Sequence, residues 1–306
     1  MLRNIMIKDK SILITGGSSM VGKHMKEILP AGYNVIYIDS SYCDLTDMKA
    51  VRWLISSIQP DHIIHLAAKV GGIQDNIKKP AEYFNDNILI NTILIKVCQE
   101  YKIKRFTGIL STCIYPDVLD TYPMLEKDIH KGPPAPTNFS YGYAKRAMAV
   151  QIDAHNKQYG TKYNYLIPCN LFGEHDNFNH TTKMHFITAL LKKIKDANKE
   201  LHLLGTGTPL RQFMYAGDLA KILIEVIDKD ITESFNIAPD WNYSIHEMAE
   251  KTLDILKKDL NIIYSKPELD GQYRKDVSNN KMKSILPNFK FTSFTNGILK
   301  SYDKIS

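Results

Sequence analysis

The chain has 306 residues, 44% hydrophobic and 24% charged, an ordinary globular composition that can bury a core without disulfide or metal support. That excludes disordered, fibrous and disulfide-scaffold classes. The formal charge of +6 comes from scattered lysines and arginines without interleaved aromatics, which argues against nucleic-acid binding and suits a small phosphate-bearing molecule.

The first residues, MLRNIMIKDKSILITGG, hold no long apolar stretch ahead of a small-residue cleavage site, and no run approaches the ~18 apolar residues of a membrane span. The expectation is a chain neither secreted nor in a membrane. Cys43, Cys98, Cys113 and Cys169 are widely spaced, with no CxxC pair and no clustered histidines. They read as reduced thiols of a cytoplasmic protein, with no metal site.

Strand-like apolar runs then alternate with helical patterns. SILITG (11–16), NVIYID (34–39), HIIHLAA (62–68), FTGILS (106–111) and YNYLIP (163–168) are apolar nearly throughout, as strands buried on both faces must be. Helices are predicted near 20–29, 46–58, 81–101 and 141–159. Strand-helix alternation with right-handed crossovers gives an α/β fold with a Rossmann-type, doubly wound parallel sheet. After about residue 170 the alternation weakens, through GTGTPLRQF, a charged helix near 245–258 and a loop-rich tail. We therefore expect a dinucleotide-binding domain over 1–170, rejoined by segments near 212–243, and a smaller substrate-binding lobe over 171–306. A ligand cleft is expected between them.

The first strand-to-helix turn, ITGGSSMVGKHM, places Gly16 and Gly22 at the ends of a dinucleotide-type frame, with Ser19 where a middle glycine is usual. Small residues there let backbone amides and a helix N-terminus approach a pyrophosphate. Asp39 ends the second strand, where a carboxylate can bond a ribose 2′-hydroxyl, and no basic residue follows in SSYCDLTD. On that ground NAD(H) is favoured over NADP(H). Asp44 is a candidate for the adenine amino group, and neighbouring Asp47 reads equally as a helix N-cap.

The informative set is Ser111 followed by Tyr141 and Lys145. Tyrosine and lysine at i and i+4 share a helix face, so an ammonium can lower a phenol's pKa and reach a ribose, while a strand-end serine holds a substrate oxygen. That is an acid/base device for moving a proton while a nicotinamide moves a hydride. On the residues alone, Cys113 is either a small buried thiol or a catalytic group.

With these motifs the chain resembles the extended short-chain dehydrogenase/reductase superfamily, and within it the GDP-L-fucose synthase family of 3,5-epimerase/4-reductases. The resemblance spans nearly the whole chain. It rests on HLAAKVGGI (65–73), STCIYP (111–116), GPPAPTN (132–138), YGYAK (141–145), PCNLFGEHDNFN (168–179), GTGTPLRQF (205–213) and DGQYRK (270–275).

The resemblance implies that GDP-4-keto-6-deoxy-D-mannose is inverted at C3 and C5 by Cys113 and His185, then reduced at C4. It also implies NADP(H) as cofactor, with Ala67 and Ala68 beside it and Tyr141 and Lys145 reaching it. Asn138, Asn170, Arg211 and Lys275 become substrate contacts, the last two for the diphosphate or its sugars. His185 lies off the apolar stripe of Ile187, Leu190, Leu191 and Ile194, so it is not a core histidine; His175 and His180 are nearby competitors. Leu204 stands where the family commonly has tryptophan. A homodimer through the helices near 81–101 and 141–159 is implied as well.

Other functions are weighed by chemistry. Dehydration is disfavoured because STC offers no carboxylate, and a plain 4-epimerase has no use for the Cys/His pair. A 4-keto reductase of a related GDP-sugar, such as a heptose, would lack one or both epimerisations. A non-catalytic dinucleotide sensor would not require Ser111, Tyr141 and Lys145.

Overall fold

The computed structural model describes residues 10–176, 178, 184–267 and 270–305. His180, one of the competing histidines, lies outside the described residues.

In chain order the first half runs β1 (Ser11–Thr15), α1 (Met20–Ile28), β2 (Asn34–Ile38), α2 (Met48–Ile58), β3 (His62–His65), α3 (Ile73–Lys78), α4 (Pro80–Glu100), β4 (Arg105–Ile109), α5 (Phe139–Tyr159) and β5 (Asn164–Pro168). The second half runs β6 (Asn170–Phe172), α6 (Phe186–Asp196), β7 (Glu200–Leu204), β8 (Leu210–Arg211), β9 (Phe213–Tyr215), α7 (Ala216–Asp228), β10 (Phe235–Ile237), β11 (Tyr243–Ser244), α8 (Ile245–Leu256), β12 (Asn261–Ser265), α9 (Asn280–Ile285) and α10 (Phe294–Asp303).

Six strands form one sheet in the order β10-β5-β4-β3-β1-β2, and every neighbouring pair is parallel. β3, β4 and β5 are buried at every position, whereas edge strand β2 is only partly covered. Continuous apolar runs are what a sheet covered by helices on both faces demands. The chain goes from β1 out to β2, then crosses back to β3 on the other side of β1. The strand order reverses there, which opens a crevice at the carboxyl ends of β1 and β3.

The helices begin and end for local reasons. Ser19 and Asp47 accept from the first-turn amides of α1 and α2, and Ser244 and Glu247 form a reciprocal capping box at α8. α5 stops at Gly160, whose φ of 66° is the left-handed conformation of a helix end. The six-residue α3 is absent from the sequence reading; it is shorter than two turns, and no side-chain bond caps it.

Past β5 the sheet gives way to three two-stranded pairs, β6 with β9, β8 with β11 and β7 with β12. Buried apolar side chains fall into two clusters. One fills the space around the large sheet and includes Met214, Leu219, Leu223 and Phe235; the other joins Phe172, Leu190, Leu191, Leu201, Met248 and Ile298. The segment around α7 and β10 thus returns to the sheet, with α7 against α1. No helix among the described residues is long and apolar enough to cross a membrane.

Candidate active site

A cleft of about 1640 Å³ runs over the carboxyl ends of the sheet strands. It exceeds the ~300–1,000 Å³ of an ordinary small-molecule pocket, so it has room for two large ligands side by side.

One end is built by the turn after β1. Gly16 has φ 71°, and a Cβ there would lie 2.8 Å from the Ala67 amide nitrogen. Only glycine lets the turn pass that close to the end of β3. Ser19 Oγ accepts from the Gly22 amide at 3.2 Å, so this serine caps α1 and holds the helix N-terminus over the cleft. Asp39 folds its carboxylate onto Ser41, accepting from Oγ at 2.6 Å and from the amide at 3.0 Å; these bonds hold it below the usual carboxylate range. Asp44 does the same with Thr46, at 2.7 and 2.8 Å. Asp47 is the N-cap of α2. Ala67, Ala68, Ser18, Ser40 and Lys23 line the same end.

The other end is built by the turn after β4. Ser111 is extended and caps a short 3-10 turn, Thr112–Ile114, its Oγ accepting from the Cys113 amide at 3.3 Å. Buried Arg146 of α5 clamps this turn, donating to the Ile114 carbonyl from Nε at 2.8 Å and to Gly132 from Nη1 at 2.8 Å. Such charge-assisted bonds contribute on the order of 1.5–3 kcal/mol each. A Cβ on Gly142 would sit 2.5 Å from the Cys113 carbonyl oxygen, so glycine is what lets α5 press Tyr141 against the turn.

Lys275 Nζ donates to Cys113 Sγ at 2.8 Å. Burial alone would push the thiol up, but the charge and hydrogen bond of Lys275, with Ser111 and Arg211, outweigh it and leave Cys113 below its ordinary value. The tail that carries Lys275 is stitched down by Gln272, which donates to the Pro116 and Asp117 carbonyls at 3.0 and 2.8 Å. Gln212 Oε1 accepts from the Val277 amide at 2.8 Å.

His185 caps α6 and turns Nδ1 to the Asp176 carboxylate, at 3.0 and 3.1 Å. It is 44% exposed, yet the solvent it meets is that of the cleft. Burial lowers its pKa, and the bond and charge of Asp176 raise it by more. Asp176 is only 6% exposed and also accepts from Thr188 Oγ1, so the carboxylate is fixed before it fixes the imidazole. The cleft therefore holds a thiol biased toward thiolate and an imidazole biased toward imidazolium.

The NAD dependent epimerase/dehydratase family matches residues 12–238. The chain belongs to this family. A GDP-L-fucose synthase of Dictyostelium discoideum is 38% identical over 302 residues, covering 95% of this chain and 94% of its own. A probable GDP-L-fucose synthase of Drosophila melanogaster is 34% identical, covering 94% and 95%. Among solved structures, a GDP-L-fucose synthetase of Naegleria fowleri bound to NADP is 30% identical, with a TM-score of 0.86 and coverage of 97% and 93%.

In this member, every sequence-predicted site residue outside the glycine loop helix lines one cleft: Asp39, Asp44, Ala67, Ala68, Ser111, Cys113, Asn138, Tyr141, Lys145, Asn170, His185, Arg211 and Lys275. Gly16 and Ser19 line it too, while Gly22 is buried beneath them. One expectation needs correction. Lys145 was to lower the Tyr141 phenol, but its Nζ donates to the Ile109 carbonyl at 2.8 Å. Burial, with Cys113 and Tyr83 nearby, instead drives Tyr141 well up, while burial brings Lys145 down to about 8. Lys275, expected as a substrate contact, lines the cleft at 6% exposure and also meets the Cys113 thiol.

Arg211 donates from Nη1 to the Leu210 carbonyl at 2.8 Å, and burial lowers it to about 10. Asn170 Nδ2 donates to the Gln212 carbonyl at 2.9 Å. Asn138 Oδ1 is buried with no hydrogen-bond partner among the described residues. His175 faces Glu27, 2.7 Å away, rather than Asp176. Leu204 lines the cleft at 46% exposure.

Asp176, Arg146, Gly142 and Gln272 were missed as site residues. Asp176 and Gln272 sit inside HDNF and DGQYRK, so a signal for them was present in the sequence, but nothing in the spacing pairs His185 with a carboxylate nine residues upstream. Lys275→Met is expected to move the acid limb of any thiolate-dependent rate to higher pH, because the thiol loses its stabilising cation. Asp176→Asn should move the alkaline limb to lower pH, because the imidazolium loses its carboxylate. Iodoacetamide alkylation of Cys113 against pH, and the pH–rate profile, check both shifts.

Proposed function

We propose that this chain converts GDP-4-keto-6-deoxy-D-mannose to GDP-L-fucose, epimerising C3 and C5 and then reducing C4 with NADPH. The observation that carries the reading is the opposed biasing of Cys113 by Lys275 and of His185 by Asp176 within one cleft.

The 4-keto group acidifies the hydrogens on C3 and C5. Inverting either carbon takes a base on one face and an acid on the other, with the enolate oxygen held meanwhile. Cys113 thiolate removes the proton and His185 imidazolium returns one; proton exchange with solvent then restores thiolate and imidazolium before the second inversion. Ser111 and the protonated phenol of Tyr141 hold the C4 oxygen, and Tyr141 gives it a proton when C4 is reduced. A phenol held up by burial remains a donor at neutral pH, which suits that step.

The turn after β1 fits a dinucleotide, since a Cβ at Gly16 or Gly22 would come within 2.8 Å of backbone atoms and close the approach. NADPH, when bound, supplies the hydride. Lys145, released from the Ile109 carbonyl, would hold its ribose. Asp39 is already engaged by Ser41, and Ser18, Ser40 and Lys23 share that end of the cleft; these groups and the NADP-bound relative favour NADPH over NADH. Arg211, Asn138 and Asn170 hold the GDP-sugar.

We read residues 1–170, with the segment near 212–243, as the cofactor-binding domain and the remainder of 171–306 as the substrate lobe; the two apolar clusters support that division. α4 and α5 pack together and leave Phe84, Leu89, Phe139 and Val150 exposed. This apolar surface supports a homodimer through those helices, which light scattering would reveal as a dimer mass. Four free cysteines suit a reducing cytoplasm.

The test is consumption of NADPH and NADH with GDP-4-keto-6-deoxy-D-mannose, followed by product identification. GDP-L-fucose formed faster with NADPH supports the reading. Reduction at C4 with C3 and C5 unchanged would leave a 4-keto reductase.

A further inference from the structure

His24 and Glu27 are three residues apart on α1 and so project from one face of the helix. That face meets the segment just after β6. Gly173 passes so close that a Cβ would lie 3.1 Å from His24 Nε2, and Glu174 and His175 follow directly. His175 Nε2 lies 2.7 Å from Glu27 Oε1, His24 Nδ1 lies 3.7 Å from Glu27 Oε2, and the two imidazole rings meet edge to face at 4.7 Å. One ligand atom from each of His24, Glu27 and His175 falls within 4.8 Å of the other two, the one such cluster among the described residues.

A second observation at the same place points to a ligand. His24 is 2% exposed, and its Nε2 has no hydrogen-bond partner. Glu174 Oε2, 3.9 Å from that nitrogen, is also buried and unpartnered. Its other oxygen accepts from Tyr215 at 2.5 Å. Buried polar atoms are ordinarily satisfied, and here a nitrogen and a carboxylate oxygen are left over beside two further donors.

We propose that His24, Glu27 and His175 form a binding site for a divalent transition-metal cation of the zinc class, with Glu174 beside it. Two imidazoles and a carboxylate are a borderline-soft donor set suited to such an ion. Metal–nitrogen bonds of about 2.1 Å put tetrahedral ligand atoms roughly 3.4 Å apart, so small side-chain rotations close the present spacing. Glu27 is about half exposed and offers an entry path. Lys300 and Lys304 lie near enough to oppose a cation; the two carboxylates offset them. His175 also lines the cleft, and the site ties α1, which rises from the glycine turn, to the segment that continues into Asp176. A bound cation would pin the carboxylate that orients His185 to the helix that opens on the cofactor. It stands independently of the activity proposed above.

The test uses the full chain, stripped with chelator, and titrates Zn²⁺ by calorimetry and Co²⁺ by visible absorption. One ion per chain, tetrahedral cobalt bands and a rise in melting temperature with Zn²⁺ are expected. His24 is buried and its loss risks misfolding, so the variants are Glu27→Gln and His175→Ala. Each should weaken binding by at least about tenfold, whereas Cys113→Ser should bind as the parent does. No binding, binding unaltered in both variants, or binding lost in Cys113→Ser would overturn the proposal.

Discussion

Cys113→Ala is expected to abolish proton exchange at C3 and C5 of the keto sugar while leaving C4 reduction in place. The thiol is the one group at the strand-end turn that the surroundings drive toward an anion, through Lys275 at 2.8 Å and the hydroxyl of Ser111. A positioned base contributes about 10²–10⁴ in rate, and the alanine has no proton to exchange. The product should therefore become the C4-reduced sugar with C3 and C5 uninverted. Exchange followed by NMR, beside NADPH consumption, separates the two activities; exchange at the parent rate would mean that another group is the base. Alanine removes a half-buried thiol without touching the Ser111 cap or the Arg146 clamp, so the turn should keep its shape.

Tyr141→Phe is expected to act in the opposite order, with reduction falling by about 10²–10⁴ and exchange falling less. In the proposed mechanism the phenol is the proton source for the C4 oxygen, and Phe removes it while Lys145 stays on the Ile109 carbonyl. In that mechanism exchange requires only that the enolate oxygen be held, and Ser111 would still hold it. Removing one oxyanion donor ordinarily costs about 10²–10³, so exchange should slow without vanishing. Equal loss of both activities would show that Tyr141 positions the sugar rather than protonates it. Single-turnover NADPH oxidation in the parent and variant makes the comparison.

The sheet was legible because its signal is local. A strand buried on both faces must be mostly apolar, and SILIT, HIIH and NYLIP are, their buried exceptions Thr15, His62, His65 and Asn164 being joined by side-chain hydrogen bonds to neighbouring elements. The glycine turn and the N-caps Ser19 and Asp47 were legible for the same reason, each being decided within a few residues. The acid/base chemistry was only half legible. Cys113 and His185 could be named by resemblance, but what sets their protonation could not be read from periodicity. Lys275 reaches Cys113 across 162 positions, from a tail with no helical or strand period, held in place by Gln272 and Gln212. The Tyr141–Lys145 spacing was read correctly as one helix face, yet spacing does not show that a backbone carbonyl takes the ammonium. The cluster of His24, Glu27 and His175 escaped for the same physical reason, since Glu27 and His175 lie 148 positions apart and only the approach of the segment after β6 to α1 unites them.

The central claim is that one cleft performs both inversion and reduction. It is tested most directly by incubating the protein with GDP-4-keto-6-deoxy-D-mannose and NADPH in heavy water and reading product stereochemistry and deuterium by NMR. GDP-L-fucose carrying deuterium at both C3 and C5 is the expected result. A C4-reduced sugar with neither carbon labelled or inverted would contradict the roles assigned to Cys113 and His185.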